Sequence, residues 1–246
     1  LKHMSFASQV KGELCREKVS RPCCARAEAY GILLFCNSFT PQRLRVTTRS
    51  AEFAQRLPKL FKNAFSAEFD VRPADTTTGG RLSFEVTDPK KMERILETYG
   101  YARENSISHH INYAVLEEEC CRSAFLRGAF LAGGSVTDPE KRYHLELATS
   151  HLYVHRELQS LLMDMGFEPK TVSRNNNYVT YIKRSEAIAD FLTTVGAPLS
   201  AMEIMNAKVE KNLRNSVNRW SNCDVANLGK AVEAAQSQIE AIRRLE

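Results

Sequence analysis

The chain has 246 residues, of which 43% are hydrophobic and 26% charged, and its formal net charge is +5. This composition is that of an ordinary folded protein, and the length allows one large domain or two smaller ones. No run of 18 apolar residues occurs, which excludes a conventional membrane-spanning helix.

Residues 1–21 are expected to form an N-terminal helix preceded by a cloning remnant. His3-Met4 resembles a cloning junction, so we expect Met4 to be the native start. No apolar signal-peptide core follows it, which favours a cytoplasmic location.

An apolar segment occurs twice, 97 residues apart, because residues 23–40 align without gaps on residues 120–137. A duplicated apolar helix, followed each time by the start of a strand, indicates a fold of two similar halves. The positions identical at this offset include Cys23/Cys120, Cys24/Cys121, Ala27/Ala124, Gly31/Gly128, Ser38/Ser135 and Thr40/Thr137.

The first half, residues 22–100, is predicted to run helix, hairpin, helix, hairpin, helix. Ser50 and Asp88 are expected to cap its second and third helices. Gly79-Gly80 supplies a turn between strands. The predicted strands, which alternate as half-buried strands do, are 43–48, 68–72 and 81–86.

The second half, residues 117–198, repeats this order after a linker, residues 101–116. Ser150 is expected to cap the middle helix, and Asn175-Asn176-Asn177 forms a tight hairpin turn. Ser185 opens the last helix, and Gly196 after it matches Gly100. The predicted strands are 143–147, 168–174 and 178–183.

Residues 199–246 have no counterpart in the repeat and are predicted to form two helices, 200–217 and 227–245. The fold class is therefore α+β, with two αββαββα halves related by a pseudo-twofold axis and a C-terminal helical extension.

Residues 29–37 and 126–134 resemble degenerate LAGLIDADG helices. In LAGLIDADG homing endonucleases two such helices pack along a pseudo-twofold axis, and a four-stranded saddle on either side grips DNA. Small residues on one face of each helix allow the close approach that this arrangement needs. The small residues expected at this interface are Ala27, Gly31, Ala124, Gly128 and Ala132.

More specifically, the chain resembles the WhiA family of bacterial sporulation and cell-division regulators. The resemblance covers nearly the whole chain and rests on residues 125–136, 181–183 with 190–192, and 218–219 with 222–227. It implies a LAGLIDADG-like domain followed by a helix-turn-helix domain, which we expect to begin where this chain stops. It also implies a nucleoid-associated transcriptional regulator whose partner is double-stranded promoter DNA.

The homing-endonuclease reaction needs an acidic residue at the C-terminal end of each motif helix, where the two carboxylates hold divalent cations. In this sequence the corresponding residues are Cys36 and Gly133. Neither residue supplies a hard oxygen ligand. We therefore expect that this protein does not cleave DNA, has no catalytic residue and is not an enzyme.

DNA binding uses a different part of that fold, namely strand residues that face away from the core. The basic surplus favours the first half, since residues 1–110 contain 18 lysines and arginines against 12 acidic residues. Glu85 and Glu146 fall on comparable faces and would repel phosphates. The candidate DNA-binding residues are Arg43, Arg45, Arg72, Arg81, Lys170, Arg174, Lys183 and Arg219.

A second hypothesis remains open: the domain is a protein-interaction platform that recruits a partner regulator and touches DNA little. Salt-dependent promoter binding distinguishes the two hypotheses.

No metal or cofactor site is expected. The seven cysteines show no Cys-x-x-Cys or zinc spacing and are interpreted as small buried hydrophobic residues in a reducing compartment. His151 and His155 are interpreted as exposed helix residues, because no glutamate completes a zinc-protease pattern.

Overall fold

The structure, a computed structural model, describes residues 5–19, 21–76, 80–101 and 108–244. The cloning remnant, Gly79, residues 102–107 of the linker and the end of the last predicted helix at Leu245 lie outside these residues. The chain divides into two compact units, residues 1–204 and 205–246, and each is described by itself.

The first unit contains both halves of the repeat. Its first elements are α1 (Phe6–Arg16), α2 (Pro22–Phe35), β1 (Ser38–Phe39), β2 (Leu44–Thr48), α3 (Ala51–Phe65), β3 (Leu82–Val86) and α4 (Pro89–Thr98). After a 3-10 turn (Tyr113–Leu116) follow α5 (Glu119–Gly133), β4 (Gly134–Val136), β5 (Leu145–Thr149), α6 (Leu152–Asp164), β6 (Lys170–Arg174), β7 (Asn177–Ile182) and α7 (Ser185–Val195).

Two antiparallel sheets flank the motif helices α2 and α5. The first sheet has the order β1-β2-β3 and the second the order β4-β5-β7-β6. The two motif helices share the most extensive contact of any two described elements. The mixed helix and strand architecture confirms the predicted fold class.

The prediction of a strand at 68–72 is wrong, because only an isolated bridge between Val71 and Glu85 forms there. The Asp70 carboxylate instead accepts hydrogen bonds from the backbone N–H groups of Thr87 (2.7 Å) and Asp88 (2.8 Å). Pro73 follows closely and lacks the N–H group that would continue a ladder.

The predicted caps of the first half are confirmed, because the backbone N–H of Phe53 donates to Ser50 (3.1 Å) and that of Lys91 to Asp88 (2.9 Å). The predicted cap at Ser150 is wrong. Helix α6 begins one residue later, after His151, whose own N–H donates to the Thr149 hydroxyl (3.2 Å).

The asparagine turn between β6 and β7 is confirmed. Asn175 and Asn176 have φ angles of 49° and 60°, the left-handed pair that a tight hairpin requires.

The two helices predicted for the C-terminal extension are one helix, α8 (Pro198–Arg243). The predicted break at residues 218–226 is wrong, because this stretch contains neither proline nor glycine to interrupt the backbone ladder. Among the described residues no helix is both long and apolar enough to cross a membrane.

Candidate functional site

Helices α2 and α5 touch through their backbones at two glycines. A Cβ atom added to Gly31 would lie 2.1 Å from the Phe125 carbonyl oxygen, and one added to Gly128 would lie 2.0 Å from the Glu28 carbonyl oxygen. Glu28 and Phe125 are themselves separated by the repeat offset of 97. The two contacts are therefore copies of one another across the pseudo-twofold axis.

The other predicted interface residues lie along the same helices. Ala27 and Ala124 are fully buried, whereas Ala132 is half-buried and lines a cavity at the helix ends.

A buried ion triad lies within the same helix layer. The Glu28 carboxylate, which is fully buried, accepts hydrogen bonds from Arg56 Nε (2.6 Å) and Nη2 (2.8 Å). Arg127 Nε lies 3.8 Å from the second carboxylate oxygen. Arg56 also donates to the carbonyls of Cys15, in α1, and Glu17, just after it. The triad of Glu28, Arg56 and Arg127 therefore links α1, α2, α3 and α5.

A cavity of about 370 Å³ lies where α2 and α5 end, which is where the resemblance to homing endonucleases leads us to expect the pair of acids. Cys36 and Gly133 both line it. The remaining lining is apolar or neutral, and it comprises Phe35, Asn37, Val46, Thr47, Ala132, Ala148, Thr149, Ser150 and Asn177. None of the described side chains that line the cavity is a carboxylate.

The side chains present do not fit a hard divalent cation. Burial raises the pKa of the Cys36 thiol to about 12, so it is neutral, and it donates to the Leu33 carbonyl (3.2 Å). At Gly133 there is no space for a side chain, because an added Cβ would lie 2.6 Å from the Ala148 carbonyl oxygen. The cavity therefore offers no anionic ligand and is closed to one at residue 133.

The outer face of the first sheet is the face opposite the buried residues Leu44, Val46 and Phe84. Arg45 pairs with Glu85 across β2 and β3, so both side chains share this face. Arg43 forms an ion pair with Glu85 (2.7 Å), and the Nε of Arg45 is buried without a hydrogen-bond partner among the described residues. By alternation Arg81 lies on this face as well.

The outer face of the second sheet carries the other predicted cations. Lys170 pairs with Tyr181 and Arg174 with Asn177, so they share the face that lies opposite Leu145 and Leu147. Lys183 lies on the same side, with its Nζ 5.0 Å from the centre of the Tyr181 ring.

Two residues of this second face were missed by the sequence analysis. The Tyr181 ring lies 5.4 Å from that of His144, and His144 Nε2 lies 3.0 Å from a carboxylate oxygen of Glu146. The alternation of residues 178–183 could have placed Tyr181 beside Lys183.

Two predicted DNA-binding residues lie apart from these faces. Val71 pairs with Glu85, so by alternation Arg72 falls on the opposite side of its segment, where it is exposed. Arg219 is exposed on the second unit's part of α8.

Four cysteines that the sequence analysis treated separately lie together at the N-terminal ends of α2 and α5. The sulfur atoms of Cys23, Cys24, Cys120 and Cys121, here called the cysteine quartet, lie within 4.8 Å of one another. The interpretation of the cysteines as buried is wrong for all but Cys121, since five are half-buried and Cys223 is exposed. The repeat itself could have predicted the cysteine quartet, because it places the two Cys-Cys pairs at equivalent positions beside the pseudo-twofold axis.

His151 and His155, which were predicted to be exposed, are not exposed. His155 is 8% exposed, and its Nδ1 lies 3.0 Å from the Thr180 hydroxyl. His151 stacks on His109, with ring centres 3.9 Å apart.

Comparison with known proteins identifies this arrangement. Residues 122–214 match the family model of the WhiA LAGLIDADG-like domain, and residues 217–246 match that of the WhiA C-terminal HTH domain. The second match begins inside the segment assigned above to the helical extension, whereas we expected the helix-turn-helix domain to begin only where the chain stops.

Solved structures share the fold at low sequence identity. Full-length DUF199/WhiA from Thermatoga maritima superposes with a TM-score of 0.67 at 19% identity, covering 90% of this chain and 74% of that one. The homing endonuclease I-DmoI, in complex with DNA and Mn, gives a TM-score of 0.51 at 15% identity, covering 71% of this chain and 97% of that one.

Relatives in sequence are closer. The probable cell division protein WhiA of Ruminiclostridium cellulolyticum is 38% identical over 251 residues, which cover 99% of this chain and 80% of the relative. That of Alkaliphilus oremlandii is 38% identical over 253 residues, covering 97% and 79%. The chain belongs to the WhiA family.

Proposed function

We propose that this protein is a DNA-binding transcriptional regulator of bacterial sporulation or cell division, built on a catalytically inactive homing-endonuclease scaffold. The proposal rests on two features that use different parts of the fold. The outer faces of the two sheets supply cations for phosphates, and the cavity between the motif helices has no acid for cleavage. Its site of action would be the cytoplasm, at the nucleoid.

The observation that carries DNA binding is the matched charge of the two outer faces. Each face carries three lysine or arginine side chains and one acid, and on the first face Glu85 forms an ion pair with Arg43, one of the three cations. Because Arg43 offsets the charge of Glu85, this acid repels phosphates less than a free carboxylate would. The family's HTH model and the DNA-bound endonuclease of the same fold support the same partner.

Such a surface contacts the phosphate backbone and carries little sequence information. We therefore propose that this domain contributes salt-sensitive affinity and orientation, while the helix-turn-helix domain reads the promoter sequence. The lysine and arginine side chains of the outer faces are expected to bind phosphates together, so that replacing one of them has a small effect.

The test is a salt titration of promoter-DNA binding by the full chain. Replacing Lys170, Arg174 and Lys183 together by alanine should weaken binding at least about tenfold at low salt and reduce the slope of log K against log salt by about 2 to 3. The matched control replaces three exposed lysines on α3 and α4, Lys59, Lys62 and Lys90, by alanine.

Equal weakening by the control variant would show that only total charge matters and would contradict the outer face as the binding surface. Undetectable binding of the unmodified chain to promoter DNA at low salt would contradict the proposal that this domain binds DNA.

A second candidate function, a platform that recruits a partner regulator, is favoured by an apolar stripe on the second unit's part of α8. Large exposed side chains recur there at helical spacing, and Trp220 is 81% exposed. The stripe comprises Val209, Leu213, Val217, Trp220, Val225, Leu228 and Val232. Unchanged promoter binding after loss of the outer-face cations, together with loss of regulation by Trp220→Ala, would favour this function.

A further inference from the structure

We propose that the cysteine quartet binds one zinc ion, which joins the N-terminal ends of the two motif helices. The quartet draws two ligands from each half of the repeat, Cys23 and Cys24 from α2 and Cys120 and Cys121 from α5. An ion there would be shared between the halves and would lie at the far end of these helices from the cavity at Cys36 and Gly133.

The distances suit a single tetrahedral ion. Zinc–sulfur bonds of about 2.3 Å place the sulfurs of a tetrahedral site about 3.8 Å apart. The quartet's sulfurs lie within 4.8 Å of one another, and those of Cys23 and Cys24 are 4.0 Å apart. Small side-chain rotations therefore close the site, whereas an iron–sulfur cluster would need the sulfurs to spread apart. A tetrahedral set of four thiolates suits zinc or iron–sulfur centres, and the short distances between these sulfurs favour zinc.

Arg21 and the helix N-termini offset part of the charge of the bound form. Binding converts four thiols and one Zn²⁺ into a tetrathiolate complex of charge −2 and releases four protons. Arg21 Nη1 lies 3.7 Å from the Cys120 sulfur. The four cysteines lie in the first turns of α2 and α5, where the helix dipole favours negative charge, and neither N-cap residue, Arg21 or Glu118, makes a side-chain hydrogen bond there.

The quartet is also accessible. A cavity of about 280 Å³ is lined by Cys23 and Cys121 together with the charged residues Arg26, Glu117 and Glu118, and three of the four cysteines are half-buried. An ion can reach the sulfurs from this side without opening the helix interface.

The experiment measures metal in the full chain purified under reducing conditions. We expect about one zinc per chain, and we expect cobalt(II) added to the metal-free protein to give the visible absorption of a tetrahedral thiolate site. The paired variant Cys23→Ser with Cys120→Ser should reduce bound zinc at least about tenfold. The control, Cys15→Ser with Cys223→Ser, changes two cysteines outside the quartet and should retain the metal.

A thermal measurement keeps the test independent of how the variants fold. Zinc added to the metal-free unmodified chain should raise its unfolding midpoint by about 5 °C or more and should leave that of the folded paired variant unchanged. Three results would each overturn the proposal. They are disulfide bonds within the quartet in protein purified under reducing conditions, no more zinc in the unmodified chain than in the paired variant, and equal stabilisation of both proteins by added zinc.

Discussion

Glycine at residues 31 and 128 sets how closely the two halves meet. Each lies in a helix interior, where glycine ordinarily costs about 1 kcal/mol relative to alanine. Here the neighbouring helix backbone occupies the space of a side chain, at 2.1 Å and 2.0 Å. Backbone atoms cannot rotate away, so the usual preference for alanine is reversed.

Gly31→Ala and Gly128→Ala should each destabilise the protein by about 2 to 4 kcal/mol, since the helices must separate. Urea unfolding measures the change. Gly12→Ala in α1, where an added Cβ meets nothing within 4 Å, is the matched control and should be neutral or stabilising by up to about 1 kcal/mol. An unchanged midpoint for Gly31→Ala would show that the helices are not in backbone contact.

Glu28 is the second decisive residue, because its buried carboxylate balances Arg56 and Arg127. Glu28→Gln should cost about 3 to 5 kcal/mol in the free energy of unfolding, because it leaves two buried guanidinium groups without an anion. The same substitution at Glu168, whose pair with Arg184 is exposed, should cost less than about 1 kcal/mol. Similar costs at both residues would contradict a structural role for the buried triad.

At the scale of elements, the linker is attached to the second half through a histidine stack. His109 lies in the segment before α5 and His151 at the start of α6. Burial, and then the charge of His109, lowers the pKa of His151 from 6.5 to about 4, and burial lowers that of His109. Both rings are therefore neutral in the folded protein at neutral pH.

The pH dependence of stability follows from these shifts. Below pH 6.5 the unfolded chain binds protons that the folded chain does not, so the stabilisation is complete above pH 6.5 and is lost as the pH falls towards about 4. His151→Gln should flatten urea midpoints measured between pH 7.5 and 4.5. NMR titration that finds His151 with an unshifted pKa would contradict this account.

At the scale of the whole molecule, the cavity at the ends of the motif helices contains no carboxylate among its described lining residues, and Gly133 has no space for a side chain. Restoring carboxylates with Cys36→Asp and Gly133→Asp should therefore not restore cleavage. The new side chain at residue 133 meets the Ala148 carbonyl and the Phe35 ring, so the double variant should be less stable than Cys36→Ser.

Nicking of supercoiled plasmid with magnesium or manganese measures cleavage, and urea unfolding measures stability. Metal-dependent nicking by the unmodified chain that Cys36→Ser abolishes would show that the cavity is catalytic after all.

The sequence by itself determined the duplication, the order of elements and the caps at Ser50 and Asp88, because these depend on local patterns and on comparison of one half with the other. It also located the motif helices and the family. It failed at 68–72, where Asp70 takes its hydrogen bonds from Thr87 and Asp88 of a distant segment. Alternation within one segment contains no information about such a partner.

Only the tertiary structure decided what the duplicated helices bring together. Packing about the pseudo-twofold axis places Cys23 and Cys24 beside Cys120 and Cys121, which are 97 residues away, and aligns Gly31 and Gly128 with the opposite backbones. It also shows that there is no space for a side chain at Gly133. The physical reason is that these properties belong to the interface between two segments, whereas sequence patterns describe each segment alone.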